Sequence, residues 1–220
     1  MSTYTLVKRP FDVVVASGAL LVTWPLILLG AIAVKLSSPG PAFYRAKRAG
    51  VGGRPFDMLK LRTMLVGQDG ADRRVTEASD SRITPVGNLL RKGKIDELPQ
   101  FWNVVKGDMS IVGPRPEDWD LVQRYFTPDD RRVLEVRPGI ASPIDVDWYP
   151  DLLYHDPPPA GVPMQEYYVR RHRQIQVAEA LRYSAQKSLL LDLSVILRLI
   201  YCVLVYTWRA PKKRPLPAGF

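Results

Sequence analysis

The sequence predicts a mainly helical α+β fold: an N-terminal re-entrant (helix-break-helix) membrane hairpin, then a cytoplasmic domain with a small β-hairpin and interfacial amphipathic helices. Three observations predict it. Residues 13–36 form an apolar run with no charge before Lys35. Two strand-like segments, residues 42–48 and 54–64, flank a glycine-rich turn. From residue 85 onward, apolar residues recur at helical spacing between proline-rich connections.

Composition sets the limits. The chain has 220 residues, 31 Lys+Arg against 22 Asp+Glu, a net charge of +9 and 46% hydrophobic residues. One cysteine, Cys202, excludes an internal disulfide framework, and the hydrophobic content argues against wholesale disorder. The positive excess implies an anionic partner: nucleic acid, lipid headgroups or a phosphorylated substrate. Its placement discriminates among them. Residues 8–62 hold nine Lys/Arg against two Asp/Glu, clustered around the apolar run.

The run itself, 24 residues, would reach about 36 Å as an ideal helix, enough to cross a hydrocarbon core of about 30 Å. Pro25 interrupts it, and Gly18 and Gly30 loosen it on either side. Lys8 and Arg9 precede it; Lys35, Arg45, Lys47, Arg48 and Arg54 follow. The positive-inside rule places both flanks in the cytoplasm, which a helix bent at Pro25 satisfies and a straight span does not. Thr23 is positioned to satisfy backbone groups freed by the proline.

Residues 37–41, SSPGP, end the apolar unit. In the second strand Met58, Lys60 and Arg62 share one face, so Lys60 and Arg62 form a candidate anion site. Residues 67–82 read as a loop or short helix. Helices are expected over 85–92, with Leu89 and Leu90 as apolar contacts, and over 98–105, ended by Gly107. Residues 110–116 cannot be regular helix. Residues 119–136 read as helical with a break at Pro128, 138–164 as mostly loop, and 165–186 as an amphipathic helix. For the apolar segment 189–208, the basic tail favours the membrane interface over a span or a core helix. The implied organisation is a membrane hairpin over 1–36, a catalytic domain over 37–187 and an interfacial helix with tail over 188–220.

The densest chemistry lies at residues 94–117. Asp96 and Glu97 are adjacent, and Pro99, tolerated only in a first turn, places the helix start near Ile95 or Asp96. Asp96 as a simple helix cap is the structural alternative. The neighbours argue otherwise: Arg91, Lys92, Lys94 and Lys106 surround the pair, and Arg115 is held between two prolines. Cations beside a carboxylate keep it ionised, able to coordinate Mg²⁺ or attack phosphorus, and a forked guanidinium suits phosphate oxygens. No P-loop or GxSxG elbow is present. His155 and His172 lack zinc spacing and are expected in loops or on the surface. Cys202 is expected to pack or face lipid. The basic run 170–173 reads as a solvated helix face able to touch anionic lipid.

These motifs in order, KRPFD entering a proline-broken apolar run, FDMLKLRTM, SDSRITPVGNLLRK, DELPQFWNVVKGDMSIVGPRPE and RPGI, resemble the bacterial sugar transferases of the monotopic polyprenol-phosphate phosphoglycosyl transferase family. The resemblance covers most of the chain. It implies transfer of a sugar 1-phosphate from a UDP-sugar donor to undecaprenyl phosphate with release of UMP, initiating membrane glycan assembly. It implies Mg²⁺ and a covalent phosphosugar on Asp96, with Glu97 as its catalytic partner and Asp96 as metal ligand. It makes Lys60, Arg91, Arg115 and Arg137 phosphate-binding cations and Pro25 the membrane bend. It places the protein in contact with lipid, monotopic in the inner membrane, with the active site facing the cytoplasm. No nucleic-acid partner is implied, and a homodimer is compatible.

There are departures. Many relatives carry Thr-Ser-Leu before the dyad, where this chain has Gly93, Lys94 and Ile95, so capping there differs. The segment after RPGI also diverges, so the donor sugar does not carry over. Two other readings compete: a non-enzymatic basic membrane-surface scaffold whose dyad only caps a helix, and a nucleic-acid binder, which leaves the apolar run and the dyad without a purpose.

Overall fold

A computed structural model describes residues 3–67, 80–149 and 155–206. The first helix, α1, runs Thr3–Ser37 with Pro10 and Pro25 inside it. Its assignment continues through Pro25, where the sequence leads one to expect a break. The Thr23 hydroxyl donates to the Ala19 carbonyl at 2.7 Å, not to the Leu21 carbonyl that Pro25 leaves without its helical donor.

Both arms of α1 pack on one body. Before Pro25, Arg9 donates to the carbonyls of Val104 (2.7 Å) and Val105 (3.0 Å). Asp12 accepts from the Ser110 hydroxyl (2.7 Å) and the Ile111 N–H (3.2 Å). After Pro25, Ile27, Ala31 and Val34 pack against Leu61, Leu90 and Ile95. Gly30 allows that approach, because a β-carbon there would lie 2.6 Å from Leu61 Cδ1. Between the arms Leu21, Val22, Trp24 and Leu26 are exposed.

Strands β1 (Phe43–Ala49) and β2 (Pro55–Leu61) form the expected antiparallel hairpin, Ala46 opposite Met58. Arg62 corrects the sequence reading. It is buried, and its guanidinium donates to the carbonyls of Ser38, Pro39 and Pro41 at 2.7–2.8 Å. It therefore locks the turn after α1 onto the hairpin, and three of its donors go to carbonyls instead of an anion beside Lys60.

Helix α2 (Pro85–Lys92) has the expected bounds. Thr84 caps it, accepting from the Gly87 N–H at 2.9 Å, and Pro85 sits where its missing N–H costs nothing. Leu90 is buried, but Leu89 faces outward. Helix α3 (Gln100–Lys106) ends at Gly107, whose φ of 103° closes the C-terminus. Asn103 ties α3 to the hairpin: its amide accepts from the Leu59 N–H at 2.9 Å and donates to the Asp57 carbonyl at 2.8 Å. One side chain thus pairs with β2 on both sides of Met58.

A second sheet is not foreseen by the sequence. Strands β3 (Ser110–Val112) and β4 (Gly139–Ala141) pair in parallel. Gly113 and Gly139 meet backbone to backbone, and a β-carbon on Gly139 would lie 2.1 Å from the Gly113 nitrogen. Two motif glycines thereby bring the Pro-Arg-Pro loop beside RPGI. Helix α4 (Trp119–Tyr125) and a 3-10 turn at Asp130–Glu135 reproduce the break near Pro128. Then follow α5 (Pro143–Asp147), α6 (Met164–Tyr167), a π turn at Tyr168–His172, α7 (Arg173–Gln186) and α8 (Leu189–Tyr206).

The main core joins Met58, Val104, Met109, Ile111 and Val112 to Ala16 of α1 and Val195 and Cys202 of α8. Cys202 thus packs inward. The opposite face of α8 exposes Leu190, Leu193, Leu197, Tyr201 and Leu204. Burying one leucine is worth roughly 2 kcal/mol, so a continuous row of this kind marks a surface suited to an apolar phase. Residues 6–37 and 189–206 are each long and apolar enough to cross a membrane, and little of either is buried. Most of the 67–82 reading, residues 150–154 of the proline-rich stretch and the basic tail lie outside the described residues.

Candidate active site

The site begins at an unusual backbone. Lys94 has φ 55°, the only non-glycine at positive φ among the described residues. The chain turns there out of α2 into a 3-10 turn, Ile95–Glu97. Leu98 and Pro99 continue with helical angles into α3. The helix expected to open near Ile95 therefore opens as a single 3-10 turn, and that turn carries the dyad.

Asp96 is 6% exposed. The N-cap positions of the turn and of α3 are held by Lys94 and Pro99, so Asp96 does not occupy the position that the capping alternative gives it. Asp96 Oδ1 is buried without a hydrogen-bond partner. Glu97 differs: its Oε1 lies 2.8 Å from Lys60 Nζ. Asn103 sets that meeting by fixing β2 against α3. Arg91 Nε donates to the Thr63 hydroxyl at 2.9 Å and is electrostatically coupled to Asp96. Arg115, on the Pro-Arg-Pro loop, pairs with Asp145 at 2.5 Å. Asp145 also accepts from the Ser142 hydroxyl at 2.7 Å.

The structure thus gathers Asp96, Glu97, Lys60, Arg91 and Arg115, and adds Lys94 and Asp145, which the candidate site residues do not include. Arg137 is placed differently. It donates to the Gly107 carbonyl at 3.1 Å, at the end of α3 away from the dyad. Pro25 lies exposed within α1, between its two packed arms.

The dyad divides electrostatically. Burial pushes the Asp96 carboxyl above its ordinary value and the Glu97 charge adds to this, against the pull of Lys60, Lys94 and Arg91. Burial also acts on Glu97, but Lys60 and Lys94 overcome it and hold that carboxyl well below the usual range. The expectation that neighbouring cations keep the carboxylate ionised describes Glu97. For Asp96 burial is the larger effect.

A second polar cluster lies behind Arg115. Glu117 is buried and accepts from the Tyr168 hydroxyl at 2.7 Å, and burial raises its carboxyl. His172 departs from the surface reading. It is 1% exposed, its Nε2 lies 3.1 Å from Asp156 Oδ2, and burial lowers its ring below the ordinary value. His155 packs edge-on against Trp148. The basic run is largely paired: Arg170 with Glu166, Arg171 with Asp156, and Arg173 with Asp130.

Residues 3–206 match the family model described as bacterial sugar transferase. Among curated proteins, the chain is 47% identical over 137 residues to a UDP-glucose:undecaprenyl-phosphate glucose-1-phosphate transferase of Caulobacter vibrioides, covering 61% of this chain and 51% of that one. It is 40% identical over 145 residues to a UDP-N-acetylgalactosamine-undecaprenyl-phosphate N-acetylgalactosaminephosphotransferase of Aeromonas hydrophila, covering 63% and 33%. It is 39% identical over 164 residues to the exopolysaccharide production protein ExoY of Rhizobium meliloti, covering 67% and 71%. The chain spans about half of the Caulobacter relative and a third of the Aeromonas relative.

Proposed function

The chain belongs to the bacterial sugar transferase family, and from that premise we propose that it transfers a sugar 1-phosphate from a UDP-sugar to undecaprenyl phosphate. The observation that carries the chemistry is the unequal dyad. Glu97 is engaged by Lys60, whereas Asp96 keeps a buried oxygen without a partner. An Asp96 oxygen attacks the sugar-bearing phosphorus of the donor. A P–O bond forms to Asp96, the bond to the bridging oxygen breaks, and UMP leaves with that electron pair. An oxygen of undecaprenyl phosphate then attacks the same phosphorus, forming the diphosphate and releasing the Asp96 carboxylate. Lys60, Arg91 and Arg115 stabilise charge on the transferring phosphoryl group.

The residues present fit Mg²⁺ in one limited way. Among the described residues no group of three or more His, Cys, Asp or Glu could hold a metal. Mg²⁺ characteristically takes one or two carboxylates together with substrate phosphates and water. Asp96, with its free oxygen, would be the protein ligand, and the ion would supply charge neutralisation on the donor phosphates.

The test omits the acceptor. Incubation with a panel of UDP-sugars should yield protein heavier by one sugar phosphate, with the added mass on the peptide containing Asp96. Absence of any adduct and of UMP release with every donor would leave the membrane-scaffold reading in its place.

The protein works at the cytoplasmic face of the inner membrane, with α1 re-entrant and bent at Pro25. A straight helix of 35 residues would be about 52 Å long. Yet its two arms engage the same stretch of chain: Arg9 reaches Val104 and Val105, and Ala31 and Val34 share a cluster with Ile95. The outward row of α8 lies in the interface, with Arg198 paired to Asp147 at its margin. Cysteine labels placed before residue 13 and after residue 36 should both react from the cytoplasmic side; labelling from opposite sides would establish a span.

A further inference from the structure

We propose that Lys94 is a donor-binding residue, its ammonium taking a phosphate oxygen of the UDP-sugar alongside Arg115. The inference rests on the reaction proposed above and extends it to a residue outside its phosphate-binding set.

The backbone provides the first argument. A left-handed conformation crowds the β-carbon of any L-residue against its carbonyl and is cheap only for glycine and, less so, asparagine. A glycine is available one position earlier, but Gly93 takes an ordinary negative φ of −86° and leaves the strained position to lysine. The conformation is held from both sides. Lys94 N–H donates to the Arg91 carbonyl at 3.1 Å, and the Lys94 carbonyl accepts from the Glu97 N–H at 3.2 Å. Strain of this kind persists where the surroundings impose it and concentrates at ligand sites. A lysine kept at a glycine position, next but one to the proposed nucleophile, points to a use for its side chain.

Charge provides the second argument. The Lys94 ammonium is within electrostatic reach of Glu97, Asp145, Arg115 and Asp96. Two of these charges already have close partners: Glu97 has Lys60 at 2.8 Å, and Asp145 has Arg115 at 2.5 Å. With Asp96 and Arg91 included, the carboxylates and the other cations balance, and Lys94 supplies the net positive charge. Counting only the protein's own formal charges, the cluster without Lys94 would offer a donor diphosphate no net positive charge. With it, Lys94 and Arg115 present an ammonium and a guanidinium to adjacent oxygens.

The alternative role is structural, with Lys94 serving only as a second counter-ion to Glu97. Substitutions that suit the backbone separate the two. Lys94→Gly and Lys94→Asn relieve the left-handed strain while removing the charge; Lys94→Arg keeps the charge. The expected result is a melting temperature at or above wild type for the neutral pair. Their KM for UDP-sugar should rise about ten- to a hundredfold, the loss of one charge-assisted hydrogen bond, with kcat changed much less. Lys94→Arg should recover most of the affinity. An unchanged KM, a fall in kcat alone, or a loss of stability in both neutral variants would overturn the proposal. To read the site independently of turnover, UDP is titrated by calorimetry into the Asp96→Asn protein with and without Lys94→Asn. Weaker UDP binding in the double variant is expected, and equal binding would overturn the proposal. Absence of turnover in the unsubstituted protein would count against the proposed reaction and leave the Lys94 site to be decided by UDP binding.

Discussion

Asp96→Asn should lose at least about three orders of magnitude in turnover, the scale on which removal of a covalent nucleophile is felt, or about 4 kcal/mol of transition-state stabilisation. It should also fail to acquire the sugar-phosphate mass, since an amide oxygen leaves no carboxylate to attack phosphorus. Stability should move the other way. Burial raises the Asp96 carboxyl in the folded protein, so the fold disfavours its anion. For a carboxyl whose folded value is raised, the unfolded state holds fewer protons between the two values. The cost is therefore absent below the ordinary aspartate value of about 3.9, grows through the folded value and is complete above it. Neutral asparagine escapes that cost. With EDTA present, Asp96→Asn should melt at or above wild type at pH 7, and the difference should shrink as the pH falls toward about 4. A variant that is both less stable and inactive would mean that Asp96 serves the fold. Full turnover would remove it as nucleophile.

That pairing of lost activity with retained stability separates what the sequence shows from what it hides. Helix α2 was legible over 85–92, although of its two expected apolar contacts only Leu90 is buried, and the β1–β2 turn was legible from its glycines. The dyad was legible because adjacent carboxylates among cations are conspicuous in one dimension. Its inequality was not. Whether burial or neighbouring charge dominates at Asp96 depends on packing by segments remote in sequence. The same holds for Arg62, whose strand position suits an anion as well as it suits the carbonyls of Ser38, Pro39 and Pro41. Strands β3 and β4 left no periodic signal. Each is three residues long, and their pairing joins Ser110 to Gly139 across the intervening helix and turns. His172 reads as one more member of a basic run, and only the fold buries it against Asp156.

The largest effect on stability is expected where the two apolar helices meet the core. Lys8 of α1 lies 2.9 Å from Asp12 and 2.8 Å from Asp192 of α8, ion contacts in which the buried ammonium is not aligned for a hydrogen bond to either carboxylate. Asp12 is 2% exposed and Asp192 is fully buried. Asp12 holds β3 through Ser110 and Ile111. Asp192 accepts from Tyr183 at 2.8 Å and from Tyr4 at 3.1 Å, and the Tyr183 hydroxyl also reaches the Val112 carbonyl. One ammonium thus joins the membrane-facing helices to the strand that leads into the Arg115 loop. Lys8→Met should cost about 3–5 kcal/mol, because it leaves two buried carboxylates without their cation. For a chain of this size that is a fall in melting temperature of about 6–20 °C. Asp192→Asn alone should cost less, since it keeps the shape and an acceptor for Tyr183 while Lys8 retains Asp12. The double variant should be more stable than Lys8→Met, because the second substitution removes one of the stranded charges, and this sign of coupling is the decisive readout. Melting of the detergent-solubilised proteins measures all three. If the two losses simply add, Lys8 and Asp192 are not coupled. If they couple as expected, loosening this cluster should also weaken UDP-sugar turnover, because β3 carries the backbone that aims Arg115.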